Sequence, residues 1–151
     1  MKKNVIIGLI QMEVSENLEA NVRNALKKVE EAARKGAQIV CLQELFQTRY
    51  FPQDKKREVS KFAVPVPGEL TNIFSKLAKR LKVVVIVPLF ERTPNNTFYN
   101  SAAVMDANGK SLKTYRKVHI PHDPFFYEKS YFRPGNTGYQ VYKTKYAKIG
   151  V

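Results

Sequence analysis

Cysteine occurs once, at Cys41, and tryptophan not at all. One thiol cannot close an internal disulfide, so a disulfide-framed fold is excluded and a reducing compartment fits. Long hydrophobic runs are missing too. The longest, Val83 to Phe90, is interrupted by Pro88 and is far too short to cross a bilayer. The opening Met1-Lys2-Lys3-Asn4 and the apolar Val5 to Ile10 have only a faint look of a secretory signal, because Gln11, Glu13 and Glu16 follow with no small-residue cleavage site. The expectation is a cytoplasmic protein with no membrane partner. Acidic side chains are scarce, 13 against 26 lysines and arginines, for a net charge of +13. The imbalance is uneven: +3 over residues 1–75 and +10 over 76–151. Such a balance first suggests nucleic acid or another acidic partner. It equally fits a basic half that faces something acidic outside these residues. Internal repeats and low-complexity segments are absent.

What is present suits a single packed α/β domain: 151 residues, 44% of them apolar. Asn4 to Gln11 predicts a short buried strand. Ser15 or Asn17 can cap the helix that Leu18, Val22, Ala25, Leu26, Val29, Ala32 and Ala33 mark by their spacing, with Gly36 at its C-terminal end. Ala37 to Leu42 is a second buried strand, and the strand–helix–strand unit favours parallel pairing. Gln47 to Pro67 is a long loop with room for a short helix. Leu70 to Leu81 is amphipathic and helical, and Val83 to Val87 is a third strand. Phe98–Met105 and Lys110–Arg116 flank Asp106-Ala107-Asn108-Gly109 and predict a hairpin. His119 to Gly138 is expected to be irregular, with a second hairpin from Gly138–Tyr142 and Lys145–Val151. That last strand is apolar and stops without a turn, so the sequence reads as cut within a domain.

Glu44 stands two residues beyond a buried strand, where ligands gather in open α/β sheets. Apolar neighbours would desolvate it and raise its pKa, which suits a general base; a solvated or capping Glu is the plainer alternative. Lys117, at the end of the predicted hairpin, could keep a carboxylate ionised and stabilise an oxyanion, or be one lysine among many. His119, His122 and Asp123 invite a metal, but Pro121 and Pro124 remove the helical spacing that would gather them. Cys41 lies inside an apolar strand and reads as a small hydrophobe. Phe125 to Tyr146 holds 8 of the 17 aromatics with Lys129, Arg133, Lys143 and Lys145 among them. Interleaved basic and aromatic residues can stack bases. With no nucleic-acid signature beside them, a pocket rim or subunit interface is preferred.

Three islands carry a resemblance: Cys41-Leu42-Gln43-Glu44-Leu45-Phe46, Tyr115-Arg116-Lys117-Val118-His119-Ile120-Pro121, and Tyr127-Glu128-Lys129-Ser130-Tyr131-Phe132-Arg133-Pro134-Gly135. In this order, with Gln11-Met12 and Asn100-Ser101-Ala102, the chain resembles the nitrilase superfamily of carbon–nitrogen hydrolases. The branch it resembles is that of the N-carbamoylputrescine amidases, with β-ureidopropionase a relative. The resemblance implies an α/β fold, the nitrilase-like α-β-β-α sandwich, with residues 1–151 the N-terminal portion of one such domain. It implies homo-oligomers and no metal or organic cofactor. It implies Glu44 as general base, Lys117 as stabiliser of the tetrahedral intermediate, and Glu128 as an additional glutamate near the nucleophile. The family's cysteine follows a strand matching Lys148 to Val151, so it lies outside these residues. The implied reaction is hydrolysis of the carbamoyl C–N bond of N-carbamoylputrescine to putrescine, ammonia and carbon dioxide. Another N-carbamoyl amide hydrolysis is the nearest alternative, and a basic nucleic-acid-binding module the alternative of another class. A half sandwich leaves apolar surface uncovered, with Ile6, Val40, Leu42, Val83, Val85 and Val87 as the candidates, so the 151-residue chain alone is expected to aggregate or to need a partner.

Overall fold

The computed structural model describes residues 4–151; Met1 to Lys3, the charged part of the opening segment, lie outside the described residues. A five-stranded sheet forms the centre. β1 (Ile7–Leu9), β2 (Ile39–Cys41), β3 (Val84–Arg92), β4 (Phe98–Met105) and β5 (Tyr115–Arg116) lie side by side in chain order. β1, β2 and β3 are parallel, joined by α1 (Leu18–Arg34) and α2 (Glu69–Leu81), while β4 and β5 are antiparallel additions. Asn17 caps α1 by accepting the Ala20 amide at 2.9 Å, and the chain leaves α1 through Gly36 at φ +92°. The loop between β2 and α2 contains two turns of 3₁₀-helix, Phe51–Gln53 and Ser60–Phe62.

Two expectations are corrected in the sheet. β3 continues through Pro88 to Arg92 instead of ending at Val87. Pro88 removes a donor, but on the harmless side. The even-numbered residues of β3 turn their polar groups away from β4: Ile86 O accepts from Leu42 N, Phe90 O from Val64 N, and Arg92 N donates to Val64 O. Pro88 falls between these, past the end of β2, where no ladder bond is lost. The second correction is the returning arm of the expected hairpin, which forms but is shorter than Lys110–Arg116. The Asp106–Gly109 turn forms, with Gly109 at φ +85° and its amide on Asp106 O at 2.7 Å. The main partner of β4, however, is β3, over eight residue pairs. The arm after the turn is a strand only at Tyr115–Arg116. Ser111 sits opposite Met105 and Tyr115 opposite Ala102. Four steps on one arm match three on the other, so an extra residue bulges and interrupts the pairing. The closing hairpin is real but short, β6 (Tyr142–Lys143) with β7 (Lys148–Ile149).

Alternation sorts the sheet's faces. Val40, Val85, Val87, Leu89, Ala103 and Met105 point at the helices and pack on Ala25, Val29, Phe74, Leu77 and Ala78. Ile39, Val84, Ile86, Ala102 and Val104 point the other way, under Tyr142 and the half-buried Tyr146 and Ile149 of the closing hairpin. Most of the candidates for uncovered surface are therefore covered by the chain's own helices; Val40, Leu42, Val83, Val85 and Val87 are buried, and of that set Ile6 alone is exposed. The exposed apolar side chains of the sheet are Ile7 and Leu9, on the face opposite the helices.

Candidate active site

Glu44 follows β2 in a turn whose next residue, Leu45, is buried at φ +51°. Two neighbours fix this turn. Gln43 Oε1 accepts the Met12 amide at 2.6 Å, tying it to the segment after β1. The buried Asn21 of α1 donates to Gln47 O at 2.8 Å. Lys117 comes directly after β5, its amide on Asn100 O of β4 at 2.8 Å. Glu128 opens a 3₁₀ turn, Glu128–Ser130. The strap after that turn closes over β5. Gly135 N donates to Lys117 O at 2.8 Å, and any Cβ on Gly135 would lie 2.0 Å from Arg116 O. Only glycine lets the two backbones approach so closely.

Glu44, Lys117 and Glu128, 84 residues apart at the extremes, converge. Lys117 Nζ donates to both oxygens of Glu128 at 2.9 Å and to Glu44 Oε1 at 3.2 Å. Glu128 is a fully buried carboxylate, its side chain 2% exposed. It also accepts from Tyr50 Oη at 2.8 Å, while Asn100 Nδ2 reaches it at 3.5 Å and bonds Glu44 Oε1 at 2.6 Å. Burial is the largest influence on Lys117 and pulls its pKa down, but the Glu128 and Glu44 carboxylates together outweigh it and hold the ammonium above its ordinary value. Burial, then the bond to Glu128, keeps the Tyr50 hydroxyl protonated well beyond the usual tyrosine range. Glu44 departs from the expected burial: 47% of its side chain is exposed. One of its oxygens, Oε1, accepts from both Asn100 and Lys117.

A second buried network lies behind Lys117. Arg116 grips Glu91 of β3 with two parallel bonds, Nη2–Oε1 at 2.5 Å and Nε–Oε2 at 2.8 Å. Ser101 Oγ donates to the same carboxylate at 2.6 Å, Arg116 Nη1 donates to Asn136 Oδ1 at 2.8 Å, and the guanidinium lies 4.1 Å from the Tyr99 ring centroid. The network ties β3, β5 and the strap together around the lysine.

Cys41 and His122 have other surroundings. Cys41 is half-buried on the sheet face opposite the helices, and burial pushes its thiol pKa up. The His122 ring packs edge-on against Tyr127. Among the described residues no three His, Cys, Asp or Glu side chains are placed to hold a metal ion. Sequence reasoning missed Tyr50 and the part played by Asn100. Asn100 leaves one trace, a polar side chain in the middle of an apolar strand; Tyr50 leaves none.

A mixed α/β sheet thus brings one lysine and two glutamates together, from the ends of β2 and β5 and from a 3₁₀ turn, in a protein of the α/β class. The carbon-nitrogen hydrolase family model matches residues 6–151. An N-carbamoylputrescine amidase of Solanum lycopersicum is 46% identical over 148 residues, covering 97% of this chain and 49% of that protein. The crystal structure of a carbon-nitrogen hydrolase from Helicobacter pylori G27 superposes with a TM-score of 0.89 at 33% identity, over 97% of this chain and 50% of that one. A Saccharomyces cerevisiae member of branch 10 of the nitrilase superfamily gives a TM-score of 0.78 at 26% identity, over 97% and 54%. The chain belongs to the carbon-nitrogen hydrolase family and has the nitrilase-type α/β fold. It spans about half the length of the curated relatives it matches.

Proposed function

We propose that residues 1–151 are the N-terminal portion of a single carbon–nitrogen hydrolase domain that hydrolyses the carbamoyl C–N bond of N-carbamoylputrescine to putrescine, ammonia and carbon dioxide. The cysteine nucleophile in this reading is supplied by sequence outside these 151 residues. The observation that carries it is the convergence of Glu44 and Glu128 on Lys117 Nζ. Glu44, half exposed, takes the thiol proton. The thiolate attacks the carbamoyl carbon, and the Lys117 ammonium stabilises the oxyanion. Glu128, buried and fixed by Tyr50, keeps that ammonium charged and aimed. Putrescine leaves with the proton that Glu44 took. Water, deprotonated by Glu44, then attacks the S-carbamoyl group and releases carbamic acid, which breaks down to ammonia and carbon dioxide. The similarity to the Solanum lycopersicum amidase supports the choice of substrate.

The test is ammonia release from N-carbamoylputrescine by the full-length protein, with N-carbamoyl-β-alanine for comparison. Glu44→Gln keeps the side chain's shape and loses the proton acceptor, which costs about 10² to 10⁴ in rate for a general base. A folded Gln variant as active as the parent removes Glu44 from the mechanism, and faster turnover of the β-alanine derivative reassigns the substrate. Among the described residues no helix is long and apolar enough to cross a membrane. Cytoplasmic location and homo-oligomers belong to the same proposal, read out by cell fractionation and by sedimentation.

A further inference from the structure

Beside the cluster, the backbone does something costly. Phe126 N donates to Asp123 O at 2.9 Å, closing a four-residue turn over Asp123-Pro124-Phe125-Phe126. Proline in the second place fixes a negative φ there. Phe125, in the third place, has φ +66°. This is a type II turn, in which the third residue is ordinarily glycine because an L side chain is strained at positive φ. The strain is not repaid by burial, for Phe125 is 70% exposed and its neighbour Phe126 is exposed as well. Within these 151 residues the Phe125 ring is thus largely in solvent and adds little to the packed core, although its backbone is strained. The Phe126 ring lies 5.9 Å from that of Tyr50, whose hydroxyl bonds Glu128, and Glu128 itself follows Phe125 by three residues. The Phe126 ring, and with it the turn that carries Phe125, therefore lies beside Tyr50 at the edge of the Glu44–Lys117–Glu128 cluster, which carries two carboxylates against one ammonium.

We propose that Phe125 is a specificity-determining residue, whose strained turn holds its ring at the rim of the site to receive the cationic alkyl arm of the substrate. The inference rests on the amidase reading given above and adds to it the group that recognises the far end of the amine. An aromatic face attracts an alkylammonium and packs against its methylenes, and the net negative cluster favours the same charge.

The experiment compares Phe125→Gly with the parent in the full-length protein, using N-carbamoylputrescine and N-carbamoylbutylamine, which differ in the terminal ammonium. Glycine suits the turn, so the variant should melt no lower than the parent, and up to about 4 °C higher. Its KM for the ammonium substrate should rise about three- to tenfold with kcat unchanged, and its KM for the butyl substrate should rise by less, since the cation–π share is absent there. Equal KM changes for both substrates, or an unchanged KM, overturn the proposal while leaving the amidase reading intact. A shift in oligomeric state on sedimentation overturns it in favour of a subunit contact. A parent that releases no ammonia from either compound overturns the amidase reading and this inference with it. The Tm comparison separates these outcomes from a variant that has failed to fold.

Discussion

Replacing Glu91 by Gln should cost more stability than any change at the exposed ion pairs of this chain. The carboxylate is 3% exposed, and it accepts two bonds from Arg116 and one from Ser101. Gln keeps the volume but supplies one acceptor where there were two, and it leaves the guanidinium uncompensated. Removing one partner of a buried pair typically costs about 3–5 kcal/mol. The lower end applies, because Arg116 keeps Asn136 and the Tyr99 face and its side chain is one-fifth exposed. At about 2–4 °C per kcal/mol for a chain of this size, the melting temperature should fall by about 6–12 °C. The double variant Glu91→Met with Arg116→Met should recover much of that loss, since a buried pair replaced as a whole by apolar side chains is often close to neutral. The assay is thermal melting of Glu91→Gln and a double-mutant cycle of Glu91→Met, Arg116→Met and the two combined. A Glu91→Gln melt within a degree or two of the parent, or a double variant no better than the sum of the singles, would show that the pair is not the joint between β3 and β5.

The other expectations concern pH and coverage. Lys117 and Tyr50 both hold their protons more tightly in the folded state than in the unfolded chain, so each contributes stability that is complete below its unfolded pKa and lost as pH rises through its folded one. Melting temperature should therefore decline above about pH 10, where unfolded tyrosine and lysine titrate, and Glu128→Gln should flatten that decline; an unchanged slope would detach Glu128 from both groups. Leu9, 79% exposed, should tolerate Ser in the 151-residue chain within about 0.5 kcal/mol, as surface positions do. In the full-length protein the same change should cost about 2 kcal/mol or more, the scale of losing a buried leucine side chain; equal costs would mean that nothing covers this face.

Where physics acts locally, it could be read from the chain. Helical spacing from Leu18 to Ala33 and from Leu70 to Leu81 gave both helices to within a few residues, because an amphipathic face is a property of one segment. The end of β3 was hidden because Pro88 is tolerated only by virtue of what its neighbours pair with. The bulge before Tyr115 was hidden because register depends on two segments at once. Glu44, Lys117 and Glu128 were legible as a motif, yet Glu44's exposure was misjudged. Its apolar neighbours Leu45 and Phe46 bury themselves beneath the turn and leave the carboxylate outside. Tyr50 could not be found at all, since its bond to Glu128 spans 78 positions within a polar, aromatic loop.

The sheet's two faces also explain why the cluster sits where it does. Ala102 and Tyr115, paired across β4 and β5, belong to the face opposite the helices. Two residues along each chain, Asn100 and Lys117 lie on the same face, while Ser101 and Arg116 between them reach the helix side and Glu91. One strand thus splits adjacent cations between two tasks, Arg116 bracing the sheet and Lys117 meeting Glu44 and Glu128. The exposed Ile7 and Leu9 lie on the face that carries the lysine. Lys117 and the exposed apolar side chains therefore share one side of the sheet. In the amidase reading, the segment that brings the nucleophile to Lys117 approaches over that side. Leu9 stands on β1, at the sheet edge opposite β5, so packing on it would contribute to folding, and the Leu9→Ser comparison in the two chain lengths reports on how far that segment covers this face.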